Sequence, residues 1–377
     1  MKILVVKRYE RDFRVPFYRL LKKKLAEKDI QLDLYYGEPD ADEKKSIRDY
    51  IKDESIGKKV KNIYLKLGGV HVCYQPCMSL VSGADLVIVQ QGNRELFNYV
   101  LLLRRMFFKK PAIAFWGHGR NFQGNPGSLK EKFKYWYSNK VDFWIAYNEL
   151  SKKLLIDRGF DENKVVAINN TIDSKSQIAF FDSITEPEKA ALKSKYGIKE
   201  SDPVGIFCAS IYHDKQIDFL LQSLDLVKSR LPEFKFIMVG KGVEDYKVIE
   251  YAKRNTDWFH YVGNKFHEEK ILHFSIADFQ TIPGAVGLNI IDSFSFLCPL
   301  ITTSIKNHGP EIAYLANGEN GIMTDVDKEA YVTAIIQVST DKAFKQQLND
   351  GCNIARQRYS IENMVENFLQ GVLKIIN

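Results

Sequence analysis

Short apolar runs alternate along the chain with longer segments in which apolar residues recur at helical spacing. In the first half, apolar runs of strand length lie at residues 3–6, 31–36, 86–90, 112–116, 143–146 and 165–168. Segments with helical spacing lie between several of them, at 16–27, 95–107 and 148–158. Strands that alternate with helices predict βαβ units and a mostly parallel sheet.

The second half repeats the pattern. Its predicted strands are 204–209, 234–239, 259–262, 279–282 and 300–303, and its predicted helices are 218–230, 246–254, 268–276 and 288–296. Two such sets predict two doubly wound α/β domains, residues 1–173 and 174–360, with the boundary in the polar stretch 174–202. Residues 360–376 predict one amphipathic helix. Because ligands of such sheets bind beyond the carboxyl ends of the strands, we expect the site in a cleft between the two domains.

Composition is that of a globular protein long enough for two cores, with 377 residues, 45% apolar and 27% charged. No apolar run reaches the ~18 residues of a membrane-spanning helix. The apolar run near the N-terminus, residues 3–6, is shorter than the ~7–15 residues of a secretory signal. The 5 cysteines include no Cys-x-x-Cys pair, so we expect reduced thiols in a cytoplasmic protein.

The net charge of +7 is uneven along the chain. Residues 1–173 carry 32 basic and 21 acidic side chains, whereas residues 174–377 carry 22 and 26. The segment from Leu101 to Lys140 holds nine basic residues and one acidic residue, interleaved with aromatic and aliphatic ones. Such a surface can bind an anionic membrane; the alternative is a solvated helix face over an ordinary core. No nucleic-acid module is visible, so we expect no nucleic-acid partner.

Residues 283–292 read Pro-Gly-Ala-Val-Gly-Leu-Asn-Ile-Ile-Asp and connect a predicted strand to a predicted helix. A glycine-containing turn of this kind presents backbone N–H groups to an anion, and a diphosphate fits there. Asp292 lies about one helical turn beyond Leu288 and could accept hydrogen bonds from ribose hydroxyls. The alternative is an ordinary βα turn with an exposed aspartate.

An ordered series of motifs resembles family 4 of the retaining glycosyltransferases, which have the GT-B fold. Residues 284–292 resemble the family's Glu-Gly-Phe-Gly-Leu-x-x-x-Glu motif, in which two acids bracket the turn. Weaker matches, in chain order, lie at residues 115–121, 169–173, 207–221, 239–242, 261–263, 297–304 and 310–321. Any one motif is weak, but the series follows the family's order over most of the chain.

The resemblance implies which residues bind the donor in the second domain. Lys215 would balance the charge of a diphosphate, Asp292 would bind the ribose, and Glu311 would support the nucleotide more remotely. The remaining donor contacts implied by the motifs are Ser210, Gly263, Gly284, Ala285, Val286, Gly287 and Leu288. Asp292 is counted with the catalytic residues.

The first domain contributes His118, which follows the strand at 112–116 in the sequence Trp-Gly-His-Gly. The resemblance implies that His118 contacts the reacting sugar as a catalytic residue; the alternative is a structural histidine in a tight turn. The acceptor contacts we expect are Arg14, Arg120 and Asn121. For Arg14, a solvated position in a basic loop is an equal alternative.

Two positions depart from the family pattern. Gly284 stands where the family has the first glutamate, and Asp292 replaces the second. Ser210 stands where the family has an arginine beside the phosphates, although Lys215 remains. Losing a cation there weakens leaving-group stabilisation unless another group replaces it. The candidates for this replacement are Arg14, Arg120 and Lys241.

We expect no metal and no cofactor. The pairs Asp40/Asp42 and Asp325/Asp327 have the Asp-x-Asp spacing that metal-dependent transferases use, but Asp327 is better placed to cap a helix. The chain lacks the P-loop, nucleophile-elbow and dinucleotide-binding motifs.

The predicted reaction is metal-independent transfer of a sugar, with retention, from a nucleotide diphosphate-sugar to a glycan or lipid-linked saccharide. UDP is favoured by its prevalence in the family. We expect a bacterial enzyme of surface-polysaccharide synthesis (lipopolysaccharide or capsule), cytoplasmic or peripheral on the inner membrane face, whose helix 361–377 packs back on the first domain. The alternatives are a catalytically silent GT-B protein that binds a sugar nucleotide or a partner transferase, and a GT-B sugar-nucleotide epimerase.

Overall fold

The chain forms two compact units. The computed structural model describes residues 1–45, 47, 49–67, 70–119, 133 and 136–376. The first unit comprises Met1–Asp173 together with Ile361–Asn377, and the second comprises Ser174–Ser360. The chain therefore leaves the first unit within the polar stretch 174–202 and returns to it with its last helix.

The first unit is built on a parallel sheet. The strands of the unit are β1 (Lys2–Lys7), β2 (Gln31–Tyr36), β3 (Lys58–Lys59), β4 (Ile63–Leu67), β5 (Val70–Tyr74), β6 (Leu86–Gln90), β7 (Ala112–Gly117), β8 (Phe143–Ala146) and β9 (Val165–Ala167). Of these, β4 and β5 form a separate antiparallel hairpin, and the others form the sheet. The sheet order is β3-β2-β1-β6-β7-β8-β9, with parallel pairing between these neighbours. The direction of strand addition reverses between β1 and β6.

Helices cover both faces of this sheet. They include α1 (Val15–Ala26), α2 (Met78–Val81), α3 (Leu96–Phe107) and α4 (Glu149–Ile156). Side chains of β1 alternate between two cores: Ile3 and Val5 enter the core that contains α1, and Leu4 enters the core that contains α3. A strand buried on both faces must be apolar throughout, which explains the unbroken apolar runs in the sequence.

The second unit contains another parallel sheet and its own helices. Its elements are α5 (Lys175–Ser183), α6 (Glu186–Lys195), β10 (Val204–Cys208), α7 (Ile217–Arg230), β11 (Lys235–Val239), α8 (Asp245–Arg254), β12 (Phe259–Gly263), α9 (His267–Phe274), β13 (Phe279–Thr281), α10 (Asn289–Ser295), β14 (Leu300–Thr303), β15 (Gly321–Thr324), α11 (Lys328–Thr340) and α12 (Lys342–Arg358). The sheet order is β12-β11-β10-β13-β14-β15, so the topological switch lies between β10 and β13. The two predicted doubly wound α/β domains are confirmed.

Some elements differ from the sequence-based expectation. The polar stretch at 174–202 contains the two helices α5 and α6, although only a domain boundary was predicted there. Thr185 and Glu188 form a capping box at the start of α6, and most of its side chains are exposed. An exposed helix lacks a strong apolar period, so its pattern resembles that of a linker.

The last helix, α13 (Ile361–Ile376), lies in the first unit. Its Phe368 side chain is fully buried, with ring centroids 5.3 Å from Trp116 and 5.7 Å from Phe17. Gly371 lets the helix approach β9 closely, because a Cβ atom there would lie 2.5 Å from Cγ1 of Val166. The residues that follow the second unit thus complete the core of the first.

We predict that Phe368→Ala destabilises the first unit by about 3–5 kcal/mol, because it leaves a cavity against two aromatic rings. Urea unfolding followed by tryptophan fluorescence, with Trp116 beside the cavity, measures this loss. Gln370→Ala, at an exposed position of the same helix, is the control and should change stability by less than about 0.5 kcal/mol. Equal effects of the two substitutions would contradict the role assigned to α13.

Candidate functional site

The switch between β10 and β13 brings together most of the predicted donor-binding residues. Lys215 lies in the loop after β10, and the turn at 283–288 follows β13. The two strands are neighbours in the sheet, so both loops start at the same edge. In open parallel sheets this crevice is where ligands bind.

Gly284 holds the two loops in direct contact. A Cβ atom at this position would lie 2.1 Å from the carbonyl oxygen of Asp214 and 2.4 Å from the carbonyl carbon of Lys215. The next residue, Ala285, donates its backbone N–H to the same Asp214 oxygen at 2.7 Å. No side chain fits at position 284 in this arrangement, which explains why glycine stands where the family has glutamate.

His308 links the turn at 283–288 to the end of β14 through two hydrogen bonds. Its Nδ1 accepts the backbone N–H of Val286 at 3.1 Å, so its Nε2 carries the proton and donates to the carbonyl oxygen of Thr303, 2.6 Å away. Burial lowers the pKa of His308, and the nearby Lys215 charge acts in the same direction. The ring is therefore neutral at physiological pH and serves as a structural link.

The backbone N–H groups of the turn fall into two sets. Those of Ala285 and Val286 are used within the protein. Those of Gly287 and Leu288 donate to no residue in the described part of the chain, so they remain available to a ligand. Since α10 has only seven residues, an anion at this turn would meet these individual N–H groups rather than a helix dipole.

Lys215 is buried beside this turn. Its Nζ donates to the carbonyl oxygen of Ala285 and, at 3.3 Å, to Oδ1 of Asn289. Burial lowers the pKa of Lys215 to about 8, against the opposing effect of the Asp214 carboxylate. The ammonium has neutral oxygen partners and no salt bridge within the described residues, which suits a cation that is to meet an anionic ligand.

Asp292 lies in α10 and is also buried. One of its carboxylate oxygens, Oδ1, accepts a hydrogen bond from Nζ of Lys270 in α9 at 2.7 Å. Burial raises the pKa of the nearby Cys208 thiol to about 12, and the Asp292 charge adds to this effect. Asp292 therefore lies close to Cys208, at the carboxyl end of β10.

Lys270 was missed by the sequence analysis. It lies on the polar side of α9, 22 positions before Asp292, and no motif or period links the two residues. Only the packing of α9 beside α10 brings them together. The hydrophobic pattern predicts the two helices, but it carries no signal for a pair of charges between them.

The remaining predicted donor residues, and the candidate cation Lys241, lie at or after the ends of strands of the same sheet. Ser210 is exposed just after β10, and Lys241 is exposed in the loop after β11. Gly263 ends β12 with a φ of 68°, and its carbonyl oxygen accepts the N–H of Gly240 at 2.9 Å. Glu311 is buried, and a Cβ atom on Gly309 would come within 2.9 Å of its carboxylate.

The two predicted residues of the first unit that the structure describes, His118 and Arg14, have different contacts. His118 directly follows β7, and its ring centroid is 3.9 Å from that of Tyr147. Arg14 is buried and donates to the carbonyl oxygen of Thr171 at 3.1 Å, and also to the side chain of Asn170. Its guanidinium thus has internal partners. Arg120 and Asn121 lie outside the described residues.

The Asp-x-Asp pairs have structural contacts. Asp327 caps α11 by accepting the N–H of Ala330 at 2.8 Å, as predicted. Asp40 accepts the backbone N–H groups of Asp42 and Glu43 at 2.9 and 2.8 Å. Within the described ranges, no group of three or more His, Cys, Asp and Glu side chains is arranged to hold a metal ion.

We predict that Gly284→Ala destabilises the second unit by about 1–3 kcal/mol, because the added methyl group forces the two loops apart. Gly287→Ala is the matched control: a Cβ atom there meets nothing within 4 Å, so its thermal unfolding should be unchanged. Thermal unfolding of both variants without ligand measures the difference. Equal midpoints would show that the close approach at Gly284 is not needed.

Comparison with known proteins identifies the class of this site. The family described as glycosyl transferases group 1 matches residues 188–353, within the second unit. A putative glycosyltransferase, EpsD of Bacillus subtilis (strain 168), is 22% identical over 267 residues, which cover 67% of each chain. The alpha-monoglucosyldiacylglycerol synthase of Acholeplasma laidlawii is 24% identical over 186 residues, covering 48% of this chain and 46% of that protein.

A solved structure extends the likeness to both units. Anabaena Alr3699/HepE, in complex with UDP, superposes with a TM-score of 0.70 at 14% identity and covers 99% of this chain and 100% of its own. At this identity the likeness shows the fold, which is GT-B, as predicted. The family match and the named relatives confirm the predicted enzyme class. The chain is a glycosyltransferase with the GT-B fold, and its second unit resembles the glycosyl transferases of group 1.

Proposed function

We propose that this glycosyltransferase transfers a sugar, with retention and without a metal ion, from a UDP-sugar bound at the β10/β13 switch. The observation that carries the proposal is the convergence there of a buried lysine, two available backbone N–H groups and a carboxylate. Lys215 and the N–H groups of Gly287 and Leu288 fit a diphosphate, and Asp292 fits a ribose diol.

The proposed chemistry follows from these partners. As the bond to the sugar breaks, negative charge develops on the departing diphosphate and positive charge on the sugar ring. Lys215 and the fixed N–H groups stabilise the diphosphate without a metal ion. His118 contacts the transferring sugar, Glu311 supports the nucleotide through the Gly309 region, and Ser210 and Gly263 line the donor site.

The choice of UDP is supported by a neighbour, since Alr3699/HepE is described in complex with UDP. For the acceptor we propose a glycan or a lipid-linked saccharide of a bacterial surface polysaccharide, contacted by Arg120 and Asn121; Arg14 is left out because its buried guanidinium has internal partners. A lipid acceptor is supported by one relative whose name contains diacylglycerol.

A thermal-shift screen of UDP, GDP, ADP and dTDP, each with Mg²⁺ or with EDTA, tests the donor site. We expect UDP to raise the unfolding midpoint equally with and without Mg²⁺, since a ligand of the folded state stabilises it. The shift should disappear in Lys215→Met and persist in Lys253→Met, which removes an exposed lysine of α8. The absence of a shift with all four nucleotides would overturn the donor site.

The pH dependence of UDP-sugar binding distinguishes the effect of the Lys215 charge from the effect of the size of its side chain. With the pKa of free Lys215 at about 8, the lysine is protonated below that pH and binds the diphosphate directly. Above it, binding must take up a proton, so affinity should fall by up to about tenfold per pH unit. Lys215→Met should show a flat profile.

Catalysis that survives His118→Ala unchanged would contradict the role proposed for the histidine.

We propose further that the first unit binds an anionic membrane surface through an exposed face that we call the α3 patch. It consists of the apolar residues Leu103, Met106, Phe107, Phe108, Phe133 and Trp136 and the basic residues Arg104, Lys109, Lys110 and Lys140. Met106 and Phe107 are 78% and 75% exposed, although a helix normally turns such residues inward. None of the described helices is long and apolar enough to cross a bilayer.

Two aromatic members of the α3 patch, Phe133 and Trp136, contact each other. The Phe133 ring lies 6.0 Å from Tyr99 of α3 and 6.0 Å from Trp136, and Lys140 lies 5.6 Å from the Trp136 ring. Exposed apolar and aromatic side chains ringed by lysines suit insertion at the headgroup level of an anionic leaflet. A peripheral position would bring the enzyme to a lipid-linked acceptor.

Flotation with vesicles of phosphatidylcholine, with or without phosphatidylglycerol, tests the α3 patch. We expect binding only to the anionic vesicles, weakened by salt. Lys109→Ser/Lys110→Ser should weaken it by about 2 kcal/mol, or about thirtyfold. The control, Lys253→Ser/Arg254→Ser, removes two exposed basic residues from the second unit. If both double variants bind like the wild type, the patch is not the membrane surface.

A further inference from the structure

The pair of Lys270 and Asp292 joins two helices at the donor site. Nζ of Lys270 lies 2.7 Å from Oδ1 of Asp292, and only 19% and 11% of the two side chains are exposed. We infer that Lys270 is a positioning residue that fixes the Asp292 carboxylate for the ribose and thereby sets a preference for ribonucleotides over deoxyribonucleotides. This inference rests on the proposed function and names a residue that acts within that same site.

The two carboxylate oxygens of Asp292 have different surroundings. Oδ1 accepts the hydrogen bond from Lys270. Oδ2 accepts no hydrogen bond from any residue in the described ranges, so it is available to a ligand hydroxyl. Lys270 therefore restricts rotation of the carboxylate and leaves one defined acceptor. A carboxylate held in this way loses little conformational freedom when the ligand binds.

Charge also links the two residues. Burial acts to lower the pKa of Lys270, but the Asp292 carboxylate outweighs this effect and the pKa is raised. Lys270 is therefore charged at neutral pH. Without it, the Asp292 carboxylate would be buried without a counter-charge and without the donor that holds Oδ1.

The two lysines of the site have separate partners. Lys215 bonds the Ala285 carbonyl oxygen and Oδ1 of Asn289, in the first turn of α10. Lys270 bonds Asp292, three positions later, and its Nζ lies 5.4 Å from the Phe296 ring centroid. Lys215 thus serves the diphosphate end and Lys270 the ribose end. Substituting each lysine should affect a different part of the nucleotide.

The ribose diol gives this arrangement a measurable consequence. A carboxylate accepts hydrogen bonds from the ribose hydroxyls, and 2′-deoxyribose has lost one of these donors. A site that hydrogen-bonds a ligand hydroxyl discriminates against the ligand without it, because its own buried acceptor is then left unpaired. The affinity ratio of UDP to 2′-deoxy-UDP therefore reports on Asp292 and on the group that orients it.

Isothermal titration calorimetry with UDP and 2′-deoxy-UDP at pH 7 tests the inference on the full chain. We expect the wild type to prefer UDP by about tenfold or more. Lys270→Met should lose this preference through weaker UDP binding, while the affinity for 2′-deoxy-UDP stays within about twofold and shows that the variant is folded. Lys270→Arg, which keeps charge and donors, should retain most of the preference.

Two further variants complete the experiment. Asp292→Asn should lose the preference as Lys270→Met does, by a route that does not depend on the lysine. Lys265→Met removes a lysine that pairs with Glu269 at the start of α9 and should behave like the wild type. A wild-type ratio in Lys270→Met or Asp292→Asn would overturn the inference and leave the donor site standing. Failure of the wild type to bind either nucleotide would overturn the proposed function as well.

Discussion

Contact between Gly284 and the backbone of Asp214 and Lys215 determines the shape of the donor site. Because position 284 carries no side chain, the turn after β13 rests directly on the turn after β10. This contact brings the Ala285 carbonyl oxygen to Lys215, and the N–H groups of Gly287 and Leu288 donate to no residue in the described ranges. At the position where the resembled family has a carboxylate, this chain has a close approach of two loops, shortly before α10 begins.

Charge at this site is incomplete without a ligand. Lys215 is buried among neutral oxygens, and burial of an ammonium without an anion lowers its pKa. The Lys270–Asp292 pair is nearly neutral as a unit, so it does not compensate Lys215. A diphosphate would add negative charge at Lys215, where the Asp214 carboxylate only partly opposes the effect of burial. Donor binding and protonation of Lys215 are therefore thermodynamically linked, and each favours the other.

The sequence predicted those features that burial imposes on single elements. Strands such as β1 and β10 are covered on both faces, so their central positions are apolar and visible in the pattern. The β4–β5 hairpin was not predicted, since Ile63 and Leu65 are exposed and no core enforces a period there. Lys270 was not predicted because its role arises from the packing of two helices. The spacing of apolar residues predicts single helices and strands, whereas the family motifs predict site residues only at the positions that match them.

Some basic residues of the first unit have partners within the protein, as Arg14 does, whereas others have no carboxylate partner within the described residues. Arg14 contacts the chain at Thr171, just before the second unit begins, and reaches Met364 in the helix that returns. Arg8 and Arg105 pair with carboxylates at 2.7 and 2.6 Å, so their charges are compensated locally. Lys109 and Lys110 of the α3 patch have no carboxylate partner within the described residues. Uncompensated charge acts at longer range, so the α3 patch can attract an anionic surface. The loop that contains Arg14 instead makes contacts within the first unit.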